Sequence, residues 1–451
     1  MKRAVTILTC LTIFMSTACT KKADLDKIPD STLLPLTTLE DAQAILDNMD
    51  VMRQTPALSE ISSDNLYILY STQFSTTEWN AYVWQKDLYD VKGTNDWASP
   101  YKQVYYANSI LTTLPTLNNN DQKKADFLKG SALFIRGYAF YNVALEFANL
   151  YDSSTAQTLP GIPLRYSPDP LLEKSVRGTV EQTYQQIIKD ITEAAPLLPR
   201  VPDPRRKNRP SMPAAFALLA RVYLSMNQFA KAKLYADSSL MLYSTLLDYK
   251  SLDSNSTQPF TLTNEEVLYL SNLDSNARMV MPGFCYIDSN LYQSYDDADL
   301  RKTLFFSIGN IGLPVGRYSY SSDYTRFSGL AVDEVYLIRA ECKARLQDLS
   351  GAMQDMVTLR TSRWKTGFYT PPALTTSDEV LQFVLSERRK ELVFRGLRWM
   401  DIRRLNKLGA NISLQRNFNG QIYALPPGDA RFVLPIPPDV IQMSGMEQNP
   451  R

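Results

Sequence analysis

The sequence predicts a mainly α protein: paired helices stacked into a superhelical scaffold, interrupted by a loop-rich insert and carrying minor β structure. Three observations predict it. Long segments repeat apolar residues at three- and four-residue steps, which places them on one face of a helix. Two of these segments resemble each other at a fixed spacing. Between them lie stretches rich in Tyr, Ser, Asn and Asp that keep no helical period.

In the stretch from Phe127 to Leu150, the residues Leu128, Ala132, Ile135, Ala139 and Val143 form one apolar stripe. From Val180 to Leu198, a second stripe of Tyr184, Ile187, Ile188, Ile191, Ala195 and Leu198 ends at Pro199, which cannot continue a helix. Phe216, Leu219, Ala220, Tyr223 and Ala232 then match the large and small positions of a tetratricopeptide-like helix pair, with its turn at Met226 to Gln228. Shifted by 120 residues, Tyr336, Arg339, Ala340, Lys343 and Ala352 occupy the same places around a turn at Gln347 to Ser350. Small residues let two helices approach closely, and pairs that cannot bury their own apolar faces must stack on neighbours. The copies are too few and too far apart for a regular solenoid. Residues 59–100 and 251–328 are the candidate insertions. Asn419-Gly420 before Ile422, Tyr423 and Leu425 is a hairpin signal. The Pro-rich stretch Pro196 to Pro213, with Arg205, Arg206, Lys207 and Arg209, reads as an exposed loop rather than a nucleic-acid patch.

Composition excludes much. The 451 residues are 44% hydrophobic and 21% charged, the balance of a folded globular chain, and 48 basic residues nearly cancel 47 acidic ones. Nothing draws the whole chain toward nucleic acid. There is no histidine, so the commonest general base and zinc ligand are missing and most hydrolase mechanisms with them. Two carboxylates alone can still cleave a glycoside, which leaves a secreted carboxylate-dependent glycoside hydrolase as one alternative and a non-binding repeat scaffold as another. The cysteines have no CxxC spacing, and no metal or cofactor is expected. Cys342 reads as a small core residue.

Lys2 and Arg3, the apolar stretch Ala4 to Met15, and then Ser16, Thr17, Ala18 and Cys19 have the layout of a secretory signal. Small residues before a cysteine are similar to a lipobox, although Ser16 stands where Leu is usual. Residues 1–18 are thus expected to be a lipoprotein signal peptide, with 19–451 a single domain anchored by acyl chains on Cys19.

Taken together, these residues resemble the SusD/RagB family of nutrient-uptake outer-membrane lipoproteins. The likeness is carried by Leu25-Asp26-Lys27-Ile28-Pro29, by Trp97, Tyr101, Tyr105, Ala107 and Asn108, by Gly161 to Arg165, and by Asp297 to Arg301. The most specific segment runs from Ser386 through Glu387, Arg388, Arg389, Lys390 and Glu391 to Phe394, Arg395, Gly396, Leu397, Arg398, Trp399, Met400, Asp401 and Arg404. Leu434 to Pro437 with Gln448-Asn449-Pro450 closes it; Arg451 stands where a Gly is usual. The resemblance implies four tetratricopeptide-like helix pairs, a ligand-binding surface built by the irregular part, no catalysis, and a SusC-like TonB-dependent outer-membrane transporter as partner. The ligand implied is an oligosaccharide, or in some relatives a peptide.

Glu387 and Glu391, one helical turn apart with Asp401 nearby, are the sequence's best imitation of a paired-carboxylate active site. The surrounding Arg388, Arg389, Arg395, Arg398, Arg403 and Arg404 predict an ion-pair network instead, and the resemblance makes Glu387, Glu391, Gly396, Arg398, Asp401 and Arg404 structural. Sugar binding favours aromatic faces in loops, because the C–H faces of a pyranose stack on them. Trp97 and Trp399 fall at structural positions of the family, and Trp84 in a packing run. Trp79, in what reads as a polar loop, and Tyr286, Tyr292, Tyr318, Tyr320 and Tyr324 in the second insertion are the candidate ligand contacts.

Overall fold

Nine helices of ten or more residues carry the scaffold described by the computed structural model, which covers residues 36–451 apart from 91–95, 119, 170, 171, 173, 318, 319, 322 and 323. The signal layout, Cys19 and Leu25 to Pro29 lie outside the described residues, as does Tyr318. We number these helices α1 (Ala98–Thr113), α2 (Gln122–Phe147), α3 (Val180–Ala194), α4 (Met212–Ser225), α5 (Phe229–Leu242), α6 (Val332–Arg345), α7 (Leu349–Thr361), α8 (Ser377–Glu391) and α9 (Arg398–Lys407). From α1 to α6 each packs on the next, and α6, α7 and α8 close on one another. This is the mainly α, helix-pair architecture that the periodicity predicts.

Local chemistry sets the helix starts. Thr179 and Gln182 form a reciprocal capping box at α3, and Thr376 and Glu379 another at α8. Ser211 caps α4, whose first turn accommodates Pro213. The two related pairs superpose in sequence: α4 and α6 begin at Met212 and Val332, α5 and α7 at Phe229 and Leu349. Both turns place one residue in the left-handed region, Asn227 at φ 57° and Gln347 at φ 67°.

Helix α2 departs from the single stripe expected of it. It is buried on nearly every face from Gly130 to Phe147, because α1 and α3 flank it on both sides. Gly137 permits this: a Cβ there would lie 3.0 Å from Ile191 Cγ1 and 3.2 Å from Asp190 Cβ of α3. Across the same contact Arg136 makes a two-pronged ion pair with Asp190, at 2.7 and 2.8 Å.

Among the described residues, segment 251–328 holds no helix longer than five residues. It contributes three strands to a four-stranded antiparallel sheet of β1 (Leu66–Tyr67), β2 (Tyr286–Ile287), β3 (Phe306–Ile308) and β4 (Pro314–Gly316), in the order β1-β2-β4-β3. The Asn419-Gly420 hairpin is present as β5 (Leu414–Phe418) and β6 (Gln421–Leu425); both turn residues have positive φ, 52° and 83°. Residues 196–213 are less solvated than the sequence suggests. Lys207 is 5% exposed and donates from Nζ to the Val267 carbonyl, and Arg209 pairs with Asp47 at 2.6 Å. No described helix is long and apolar enough to cross a membrane.

Candidate functional site

The small sheet sorts its residues by the pleat. Leu66 pairs with Ile287 and both are buried; Tyr67 pairs with Tyr286, Tyr286 with Val315, and Val315 with Ser307. Directly opposed residues share a face, so Tyr67, Tyr286, Val315 and Ser307 form one row on the partly exposed side. The rings of Tyr67 and Tyr286 stack with centroids 5.4 Å apart and 28° between planes. Polar groups border them: Asp288 and Ser289 follow β2, and Arg389 reaches Asp64 at 3.3 Å and Asp288 at 3.5 Å. Two flat rings edged by carboxylate, hydroxyl and guanidinium can offer stacking and hydrogen bonds to a sugar ring.

A second aromatic group adjoins the first. Trp79 does not sit in a loop: it lies on a helix, Thr76–Tyr82, because Ser75 and Glu78 form a capping box that the polar flanking sequence disguised. Its ring meets Phe418 of β5 at 4.7 Å and Tyr423 of β6 at 6.1 Å, and stays partly exposed. Tyr82, 6.0 Å from Trp79, accepts from the Ile68 amide at 3.2 Å next to β1. Arg416 lies 3.6 Å from the Tyr82 ring centre and donates to the carbonyls of Ile61 and Ser63. Trp79 and Tyr286 thus border one stretch of chain, residues 66–82.

The other expected contacts divide. Tyr292 is half-buried, edge-on to Phe306 at 5.6 Å with the Lys302 ammonium 5.5 Å from its ring centre. Tyr324 is 70% exposed. Tyr320 lies in the core, away from the tyrosine face: it is 7% exposed, packed among Tyr249, Phe260 and Phe327 with the Arg395 guanidinium 4.6 Å from its ring centre. Sequence reasoning missed Tyr67, Phe418 and Tyr423. The alternation in Leu66-Tyr67-Ile68 was the available signal for the first; the hairpin read from Asn419-Gly420 already placed the others on its strands. A separate groove of about 250 Å³ runs beside α1, lined by Trp97, Tyr101, Tyr105, Arg165, Val440 and Met446.

The carboxylates of the arginine-rich segment are buried and paired: Asp401 with arginines of the segment itself, Glu387 and Glu391 chiefly with arginines from outside it. Glu387 meets Arg301 at 2.7 Å, Lys390 at 3.2 Å and Arg360 at 3.4 Å; Glu391 meets Arg363 at 2.7 Å and Arg301 at 2.9 Å. Arg301 is also held by Asp299. The nearby arginines pair elsewhere: Arg388 with Asp401, Arg395 with Asp333, Arg398 with Asp64, and Arg404 with both Glu341 and Asp401. Arg403 donates to the Leu145 and Ala148 carbonyls. Burial alone would push the Glu387 carboxyl up, but the charges of Arg301, Arg360 and Lys390 hold it at about 2. A group so held is a poor general acid.

The structure contains a closer imitation of a glycosidase pair, Asp96 and Glu146. Burial raises Asp96 to about 7, and burial with the neighbouring Asp96 charge raises Glu146 as well. Both are 1% exposed, and one oxygen of each is held by backbone: Asp96 Oδ2 accepts from the Ala57 and Leu58 amides at 2.8 and 2.6 Å, Glu146 Oε1 from the Ser59 amide at 3.1 Å. They hold the start of the short helix Leu58–Ser62. Among the described residues no three His, Cys, Asp or Glu side chains are grouped to hold a metal.

Residues 24–224 match a family described as SusD-like, starch-binding and associating with the outer membrane, and residues 332–451 match the SusD family. The chain is 24% identical over 420 residues to SusD-like protein P2 of Formosa agariphila, covering 78% of this chain and 79% of that one. Its fold is similar to that of a SusD superfamily protein from Bacteroides thetaiotaomicron, with TM-score 0.75 and 22% identity over 92% of this chain and all of the other. It is also similar to surface glycan-binding protein A from Bacteroides uniformis, with TM-score 0.71 and 17% identity over 91% of this chain and 99% of the other.

Proposed function

Because the chain belongs to the SusD/RagB family, we propose that it captures an oligosaccharide on the Tyr67–Tyr286 face and delivers it to a SusC-like TonB-dependent transporter without cleaving it. The observation that carries this reading is the stacked tyrosine pair on the partly exposed side of the sheet, bordered by Asp288, Ser289 and Arg389. The Trp79, Phe418 and Tyr423 group is a second aromatic cluster, linked to the strand of Tyr67 through the buried Tyr82. One relative in fold is a surface glycan-binding protein, and one matched family is described as starch-binding and associated with the outer membrane, which supports a carbohydrate over a peptide. In this reading Cys19 carries the lipid that holds the protein at the outer membrane, facing the cell surface.

Against catalysis stand the absence of histidine, the ion pairing of Glu387 and Glu391, and the inaccessibility of Asp96 and Glu146. Calorimetry of the chain from Thr20 onward against a panel of oligosaccharides and peptides, with each mixture assayed for cleavage products, tests the proposal. Binding of a glycan with no product supports capture; product formation overturns it.

A further inference from the structure

Beneath the insert lies a cavity of about 40 Å³, walled by Phe305, Phe327 and Phe394 and by three residues that carry unused hydrogen-bond donors, Tyr320, Arg326 and Arg395. Arg326 is 4% exposed and has no carboxylate within ion-pairing distance among the described residues. It donates from Nε to the Val280 carbonyl at 2.7 Å and from Nη1 to the Arg317 carbonyl, while its face lies 4.5 Å from the Phe394 ring centre. Its Nη2 has no partner. Arg395 gives Nη1 and Nη2 to Asp333, leaving Nε without a partner, and the Tyr320 hydroxyl has none either. Burial depresses Arg326 to about 10, which still leaves it charged at neutral pH.

Three donors with nothing to donate to, each costing about 1–3 kcal/mol when buried, call for an acceptor. The one carboxylate that lines the cavity, Glu391, is already engaged by Arg301 and Arg363. A cavity of this size admits a body as large as a water molecule. Water would accept the donors, but would turn its own hydrogens toward two guanidinium groups. A monatomic anion accepts from all sides and gives Arg326 a direct charge partner, where the buried Glu60 acts on it only from beyond ion-pairing distance.

We propose that this cavity holds a small monovalent anion, chloride in the protein's ordinary surroundings, shared by Arg326, Arg395 and Tyr320. Arg326 grips the insert through Val280 and Arg317, and Arg395 grips α6 through Asp333. The anion therefore fastens the insert, which supplies three strands of the tyrosine-bearing sheet, to the helical scaffold.

The test is thermal unfolding of the full chain at constant ionic strength, with chloride or bromide replacing gluconate, and diffraction from crystals grown in bromide. A specific ligand should raise Tm saturably by about 2 °C or more, and an anomalous bromide peak should lie in the cavity. Arg326→Met should abolish the halide dependence; should that variant fail to fold, Tyr320→Phe, which removes one hydroxyl, should raise the half-saturating halide concentration several-fold. Equal melting in halide and gluconate, or a cavity with no anomalous signal, means that water fills it and overturns the proposal. So does a Tyr320→Phe variant with unchanged halide dependence.

Discussion

Replacing Glu387 by Gln keeps the shape of the side chain and removes one negative charge from a site that is 2% exposed. One carboxylate oxygen accepts from Arg301 and faces Arg360, the other takes Lys390. The Gln amide would turn two N–H donors toward cations that are themselves donors. The displacement of the carboxyl from its ordinary 4.5 to about 2 corresponds to roughly 3 kcal/mol at about 1.4 kcal/mol per unit. Breaking a buried pair costs about 3–5 kcal/mol; Asp299 and Glu391 still hold Arg301, so the lower end applies. Because the folded value is depressed, this stabilisation is complete above pH 4.5 and is lost as pH falls toward about 2. Urea unfolding of wild type and Glu387→Gln, followed by tryptophan fluorescence, should show a gap of about 3 kcal/mol at pH 7 that closes between pH 4.5 and 2. A gap below about 0.5 kcal/mol at pH 7, or one that persists unchanged at pH 2.5, would refute the account of this network.

Trp79→Ala should destabilise the chain by about 3 kcal/mol, through loss of its packing on Phe418 and Tyr423, and also weaken glycan affinity; unchanged values in denaturant melts and calorimetry would detach it from both roles. Gln347→Gly should stabilise by about 0.5–1 kcal/mol, since Gln347 is held at φ 67° where glycine is unstrained, and a lower urea midpoint would contradict this. Cys19→Ala should release the protein from membranes in fractionation, and unchanged retention with acylation would remove the anchor.

The helical half of the fold was legible because its cause is local. Ile187 and Ile191 repeat at helical spacing, and the 120-residue shift from Phe216 to Tyr336 aligns real helix boundaries. The hairpin was legible for the same reason, since Asn419-Gly420 determines its own turn. The partners of Glu387 were not. Arg301 lies 86 residues away in sequence, and no spacing rule couples the two; the arginines adjacent to Glu387 on α8 point to Asp401, Asp64 and Asp288 instead. Density of charge predicted a network, in which Asp401 does take Arg388 and Arg404, but could not say which arginine meets which carboxylate. The aromatic surface was half legible: tyrosines in an insert can be counted, but strands of two or three residues carry too little pattern to say which ring faces out. Tyr286 faces out because it pairs with Tyr67, whereas Tyr320, equally tyrosine in an equally polar stretch, fills the core.

The measurement that bears most directly on the central claim compares glycan affinity in the wild type, in Tyr67→Ala/Tyr286→Ala and in Glu387→Gln, with cleavage products assayed throughout. Stacking on two rings contributes about 1–3 kcal/mol, so the tyrosine double variant should bind about 5- to 150-fold more weakly, while Glu387→Gln binds like the wild type and none of the three releases product. Wild-type affinity in the tyrosine variant, or cleavage that disappears with Glu387, would contradict it.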